Sequence, residues 1–145
     1  MSFQNWVQSG WLKPHRPSKQ EIADLFGVAD RDISACQTAG LIADWRLNIA
    51  YNAALQLATA ALAAAGYQAA RAGHHFRVIQ SLALTLQLDA GAVAEFDDYR
   101  KMRNASDYER AGLISDTEAD GMLKFAQQLR REVNAWIRAN HPTLV

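Results

Sequence analysis

The sequence predicts an all-α fold, a compact up-and-down bundle of about five helices. Several segments repeat apolar residues at alternating spacings of three and four, as the buried face of a helix requires. No segment shows sustained alternation of polar and apolar residues bounded by turn signals, so no sheet is expected. The length of 145 residues suits one domain with a core of ordinary size.

Composition limits the classes of function. The 15 basic residues balance the 15 acidic ones, so any anionic partner must be held by a local patch. The single cysteine, Cys36, excludes an internal disulfide framework and a cysteine-based zinc site within one chain. No secretory signal opens the sequence, and the apolar stretch 53–65 is too short and too alanine-rich to span a bilayer. We therefore expect a soluble, cytoplasmic protein without a membrane partner or a cofactor.

Three parts are expected along the chain. Residues 1–17 contain Trp6 and Trp11 without a helical period, which predicts an irregular arm whose tryptophans dock on this domain or on a partner. Residues 18–140 form the helical domain, and 141–145 form a short tail.

The first predicted helix begins after Ser18, because Ser18 and Glu21 have the spacing of a capping box. Its apolar stripe ends at Cys36, which we interpret as a small core residue. The stripe consists of Ile22, Phe26, Ala29, Ile33 and Cys36.

The second predicted helix runs from an N-cap at Asp44 to Ala65 and stops at Gly66. Its many alanines favour helix and allow close approach of neighbouring backbones, so it should be the central, most buried helix. A third helix is expected over 74–88, with Phe76, Ile79, Ala83 and Leu86 on one face.

A fourth helix should run from Asp89 to the neighbourhood of Asp107. The last helix begins at a second capping box, Ser115 with Glu118, and reaches residue 140. On the fourth helix the apolar stripe breaks, because the positions after Tyr99 on that face are Arg103 and then Ser106 or Asp107. Either this end emerges into water with an Arg103–Asp107 ion pair, or the side chains line a cleft where a guanidinium grips phosphate.

Three segments together resemble the HEPN superfamily, over roughly residues 18 to 140. They are Tyr51-Asn52-Ala53-Ala54, Gly73-His74-His75, and Arg103-Asn104-Ala105-Ser106-Asp107-Tyr108. The resemblance implies a four- or five-helix bundle that forms a homodimer with a shared cleft. Many HEPN proteins are metal-independent ribonucleases that act as toxins or in phage defence, often beside a nucleotidyltransferase partner.

The HEPN motif is an arginine, commonly followed by a polar residue, with four to six residues between the arginine and a histidine. Arg103 and Asn104 match it, whereas Tyr108 stands where the histidine is expected. A histidine exchanges protons near neutral pH with a reference pKa of about 6.5, while that of tyrosine is about 10. Arg103 and Tyr108 are the candidate catalytic residues, and the tyrosine indicates a binding site or a weakened catalytic one.

A local basic cluster lies around His74 and His75, with Arg77 beside them and no acidic residue between Ala69 and Leu88. It could receive phosphate or supply the missing histidine to the Arg103 cleft. Alternatively, one histidine is buried and the other solvated, because neighbours on a helix point about 100° apart. The pair is a poor metal site, since no third ligand is marked.

The sequence thus favours a HEPN-like homodimer that binds RNA or a nucleotide, as a degenerate or slow ribonuclease; whether it is an enzyme stays open. One alternative is a non-catalytic module that pairs with a nucleotidyltransferase or another protein through its aromatic arm and last helix. A helical scaffold without a small-molecule site is a third. The candidate binding residues are Arg103, Asn104, Asp107, His74, His75 and Arg77.

Overall fold

A computed structural model describes residues 2–108 and 113–145, with the side chains of 106–108 outside that description. Within this part the chain is mostly helical, which confirms the predicted all-α bundle. The helices are α1 (Phe3–Gln8), α2 (Lys19–Ala35), α3 (Ala43–Ala64), α4 (His74–Thr85), α5 (Ala90–Tyr108) and α6 (Asp116–Asn140). Two short strands, β1 (Leu12–Pro14) and β2 (Tyr67–Ala69), pair antiparallel, and a single 3-10 turn spans Pro142–Leu144.

Helix α3 is the centre of the bundle, as predicted. It packs mainly against α6 and α2 and also touches α4 and α5. Most of its alanines are fully buried, so the neighbouring backbones lie close to its own. By length and composition α3 could cross a membrane, but 72% of that stretch is buried inside the bundle, as in the core helix of a soluble protein.

The ends of α3 agree only in part with the sequence prediction. Asp44 is not the N-cap but lies in the first turn, because the helix begins at Ala43 and Ile42 occupies the cap without a side-chain hydrogen bond. At the other end α3 stops at Ala64, and Gly66 has a φ of +98°, a left-handed conformation that suits glycine. The predicted glycine stop is therefore confirmed.

The two predicted capping boxes differ in the structure. Ser115 and Glu118 form a complete box at the start of α6. At the start of α2 the Ser18 hydroxyl accepts from the Glu21 N–H, but both carboxylate oxygens of Glu21 lie 2.8 Å from Nε2 of His15. Cys36, at the end of the α2 stripe, is 1% exposed and belongs to the core.

The predictions of an irregular arm and of no sheet are wrong. Helix α1 begins where Oγ of Ser2 accepts from the Asn5 N–H, and Leu12 of β1 pairs with Ala69 of β2. Strands of three residues are too short to show alternation, and one six-residue helix is too short to show a period. Trp6 is buried within this same domain and makes an edge contact with the half-buried Trp11.

Helix α4 is shorter than expected, ending at Thr85 instead of Leu88. Its buried face is also rotated from the predicted one, because Phe76, Ala83 and Leu86 are only half-buried. The residues that it buries are Val78, Ile79, Ser81, Leu82 and Thr85.

Candidate functional site

Arg103 lies where α5 meets the first turns of α3. Its Nε donates to Oδ1 of Asn48 over 3.2 Å, and its Nη1 donates to Oδ1 of Asn104 over 3.4 Å. Its Cζ stands 5.7 Å from the ring centre of Tyr51. The guanidinium is half-buried and held by two amide oxygens, so this end of α5 does not simply emerge into water.

Tyr51 joins α3 to α4 beneath Arg103. The residue is 1% exposed, and its ring makes an edge contact with Phe96. Its hydroxyl lies 3.2 Å from Nδ1 of His75. Burial raises the pKa of Tyr51 to about 12 against the opposing effect of Arg103, so the hydroxyl keeps its proton at neutral pH.

His75 has the opposite pKa shift. Burial lowers its pKa, and the positive charge of Arg103 lowers it further, with smaller effects of the same sign from His74 and Arg100. The imidazole is therefore neutral at pH 7 and able to accept a proton. If Nδ1 carries the ring proton and donates it to the Tyr51 oxygen, Nε2 is the nitrogen left with a lone pair.

We call the five residues that these contacts connect the Arg103 cluster. They come from α3, α4 and α5, so the site exists only once the three helices have packed. The Arg103 cluster consists of Asn48, Tyr51, His75, Arg103 and Asn104.

A second group of cations lies next to the cluster. Arg100, one turn before Arg103, donates through Nε to Oδ1 of Asp97 over 2.7 Å and stands 5.5 Å from the ring centre of Phe76. Arg77 also lies near Phe76, with its Cζ 5.3 Å from the centre of that ring and 3.6 Å from the centre of the Trp11 ring. Arginine and aromatic side chains thus alternate from the Arg103 cluster towards β1.

The structure brings together three of the predicted site residues, Arg103, Asn104 and His75. His74 is adjacent, with ring centres 6.0 Å apart. Arg77 is separate, because its guanidinium stacks on Trp11 and tethers the N-terminal arm. The roles predicted for Asp107 and Tyr108 concern side chains that lie outside the described part of the chain.

Asn48 and the Tyr51 hydroxyl are the members that sequence reasoning missed as functional groups. They stand three apart on α3, the spacing that puts two side chains on one face. This pair of polar side chains on one face of the helix was the sequence signal that could have identified them. Asn52, also in the segment with the HEPN resemblance, instead donates to Oδ2 of Asp32 over 2.6 Å and ties α3 to α2.

Among the residues that the structure describes, no three His, Cys, Asp or Glu side chains lie close enough together to hold a metal ion. Comparison with known proteins adds no assignment, since no family model matches the sequence and no curated protein matches it significantly.

Proposed function

We propose that the chain is a HEPN-like domain whose Arg103 cluster binds a phosphate of RNA or of a nucleotide. The observation that carries this proposal is the convergence of Arg103 with Tyr51 and His75 from two other helices. A guanidinium presents its N–H donors in a plane that matches two phosphate oxygens. The amide oxygens of Asn48 and Asn104 restrict that plane, so little orientation is left to be fixed when the anion binds.

The surrounding charge supports the same ligand. Beside the cluster, Arg100 and Lys101 share one carboxylate, that of Asp97, so this trio carries a positive charge although the chain as a whole has no net charge. The centre of the half-buried Phe76 ring lies 5.5 Å from Cζ of Arg100 and 5.3 Å from Cζ of Arg77. Aromatic faces alternating with arginines suit the stacked bases and the backbone of a single strand.

The proposal has a catalytic form, in which the bound RNA is cleaved slowly and without a metal ion. The neutral His75, linked through Tyr51 to Arg103, supports it because a neutral imidazole can take a proton from a ribose 2′-hydroxyl. The 2′-oxygen would then attack the phosphorus and displace the 5′-oxygen of the next nucleotide, to which the protonated His75 would return its proton, leaving a 2′,3′-cyclic phosphate. Arg103 would stabilise the charge that develops on the phosphate oxygens. In this form His75 takes the part for which Tyr108 is poorly suited.

The proposed assembly is a homodimer in the cytoplasm, belonging to a toxin–antitoxin or phage-defence system with a nucleotidyltransferase partner. Support for the dimer comes from the start of α3, where Ile42 and Trp45 are each 58% exposed. Trp45 lies one turn before Asn48. A second copy covering these side chains would border the Arg103 cluster.

Fluorescence anisotropy with a labelled single-stranded RNA and with a labelled nucleotide tests binding. The Arg103→Ala variant should bind at least about tenfold more weakly, as expected for loss of a charged, two-pronged phosphate contact. Arg131→Ala, which removes an exposed arginine from α6, is the matched control and should bind like the wild type. If neither probe binds the wild type, or both variants bind alike, the proposal fails.

Cleavage is measured separately, with labelled RNA in the presence of a metal chelator. His75→Gln should abolish cleavage while phosphate binding is largely retained, because glutamine cannot accept a proton near neutral pH. Tyr108→Phe should leave cleavage largely intact if His75 is the proton acceptor. A wild type that binds RNA but does not cleave it removes the catalytic form and leaves the binding proposal standing.

A further inference from the structure

A groove separates α6 from the link between α4 and α5, at the opposite end of α5 from Arg103. It consists of two adjoining depressions of about 420 Å³ and about 240 Å³, which share Leu88, Asp89 and Glu132. We call it the Trp136 groove. Its other lining residues are Leu86, Gln87, Ala135 and Trp136 in the larger depression and Ala92, Glu95, Phe125, Gln128 and Leu129 in the smaller.

The groove combines an apolar lining with an acidic rim. Its lining includes the half-buried rings of Trp136 and Phe125 together with three leucines, Leu86, Leu88 and Leu129. Three carboxylates, those of Asp89, Glu95 and Glu132, line it, and no Lys, Arg or His stands beside them among the lining residues that the structure describes.

In the part of the chain that the structure describes, none of these three carboxylates forms an ion pair. Oδ1 of Asp89 accepts from the Ala92 N–H over 2.8 Å and caps α5, and Oε1 of Glu132 accepts from Nε2 of Gln128 over 3.1 Å. Both donors are neutral, and no ion pair joins Asp89, Glu95 or Glu132 to a cation in the ranges described. Arg131 and His141 lie just outside the lining, where Nη2 of Arg131 donates to Oε1 of Gln128 over 2.6 Å and the His141 ring is 5.1 Å from that of Trp136. The charged residues of the lining itself are all acidic, the reverse of the Arg103 cluster.

The wall of the groove is fixed by the way in which α4 ends. Gln87 has a φ of +55°, a left-handed conformation that is uncommon for residues other than glycine. The Leu88 N–H then turns back to donate to the Leu82 carbonyl oxygen over 3.1 Å. These contacts hold the link against the bundle, so the groove is preformed.

We propose that the Trp136 groove docks a basic segment of a partner protein, with a bulky apolar side chain seated between lysines or arginines. The apolar lining matches the anchor, and the unpaired carboxylates match the flanking cations. A nucleic acid does not suit this surface, because its phosphates would be repelled. The inference does not depend on the proposed phosphate site, and both surfaces can be occupied at once because they lie at opposite ends of α5.

The probe is a synthetic peptide of about a dozen residues with two central leucines flanked by lysines. It is titrated into the ¹⁵N-labelled full chain and followed by NMR. We expect saturable shifts in residues 86–95 and 128–136, including the indole N–H of Trp136, and none around Arg103. A peptide with serines in place of the leucines and one with glutamates in place of the lysines should each bind at least about tenfold more weakly.

Charge reversal on the protein gives the matched test. The double variant Glu95→Lys with Glu132→Lys should weaken binding of the lysine–leucine peptide at least about tenfold. Asp98→Lys reverses an exposed charge on α5 outside the groove and should change the affinity for this peptide by less than about twofold. Asp89 is left unchanged because its carboxylate caps α5, and circular dichroism confirms that each variant is folded.

Three results would overturn the proposal. One is non-saturable binding or shifts outside the groove, and another is equal weakening by Asp98→Lys and by the double variant. The third is self-association of the wild type, seen by sedimentation and lost in the double variant, because the occupant would then be a second copy of this chain. None of these results bears on whether Arg103 binds phosphate.

Discussion

Helix α3 passes through two environments within 22 residues. Its central and C-terminal part forms a seam with α2 and α6, in which alanines such as Ala58 and Ala61 are fully buried. Its first turns carry Asn48 and Tyr51 into the Arg103 cluster, where a guanidinium and a neutral imidazole are only half-buried. The alanine seam is held by close packing, and the cluster by hydrogen bonds.

Because of this difference, we expect the seam to determine the stability of the fold and the cluster to determine ligand binding. Removing a group from the seam creates a packing defect or an unsatisfied polar atom, which costs folding free energy. Removing a side-chain group from the cluster changes the orientation or the protonation of a neighbouring side chain. Because that neighbour stays near water, the loss of folding free energy is smaller. Substitutions in the seam should therefore change the free energy of unfolding, and those in the cluster should change ligand binding more.

The largest loss of stability is expected for Asn52→Ala, which removes the hydrogen bond from α3 to the carboxylate of Asp32. Asp32 is 7% exposed, and among the residues that the structure describes it would keep only Arg31 as a side-chain partner. Loss of a hydrogen bond to a buried charge should lower the free energy of unfolding by about 1.5–3 kcal/mol, measured by urea denaturation. Gln20→Ala removes a similar amide–carboxylate bond at an exposed site and should cost less than about 0.5 kcal/mol. Equal losses in the two variants would show that burial of Asp32 does not matter.

Ala61→Leu should lower the free energy of unfolding by about 1–3 kcal/mol, because the seam has no room for three more carbon atoms. Ala139→Leu adds the same atoms at an exposed position of α6 and should stay within about 0.5 kcal/mol of the wild type. Both variants should bind the RNA probe like the wild type at temperatures where they are folded. An Ala61→Leu protein as stable as the wild type would mean that the seam is loosely packed.

The position of the seam could be predicted from the sequence, whereas the members of the cluster could be predicted only in part. The two differ in how far apart in sequence the contacting residues lie. Alanine content and the glycine at 66 are local signals, and they place α3 at the centre and end it correctly. The contact between Tyr51 and His75 joins residues 24 apart, and that between Arg103 and Asn48 joins residues 55 apart. Such pairs are set by how the helices pack, which periodicity within one segment does not determine. The break in the α5 stripe still singled out Arg103, because a charge on an otherwise apolar face is a local signal.

Tyr51→Phe removes only the hydroxyl that contacts Nδ1 of His75 and keeps the ring packed against Phe96. We expect a loss of about 0.5–1.5 kcal/mol in unfolding free energy, the usual range for one hydrogen bond, together with slower RNA cleavage. Tyr67→Phe, whose ring stacks on Phe3 with centres 4.6 Å apart, is the matched control and should cleave RNA like the wild type. If Tyr51→Phe leaves RNA cleavage unchanged, orientation of His75 by Tyr51 is not part of the site.

The smallest effect is expected in the pH dependence of stability. The pKa of His75 is lower in the folded chain than the reference value of about 6.5, with burial as the main cause. Between those two pKa values the unfolded chain binds more protons than the folded chain, so the free energy of unfolding falls as the pH is lowered through that window. In His75→Gln this contribution is absent, and the fall between pH 7.5 and 5 should be shallower.

Urea denaturation at several pH values measures this slope. The comparison of His75→Gln with the wild type isolates His75, because the other titrating groups are common to both proteins. His74→Gln keeps the His75 imidazole and removes only one of the smaller effects on its pKa, so it should retain most of the slope that is due to His75. A His75→Gln protein with the wild-type slope would show that the imidazole titrates alike in the folded and unfolded chains. The cluster would then lose its neutral proton acceptor below pH 6.5, and with it the physical basis for cleavage there, whereas the phosphate contact of Arg103 would be unaffected.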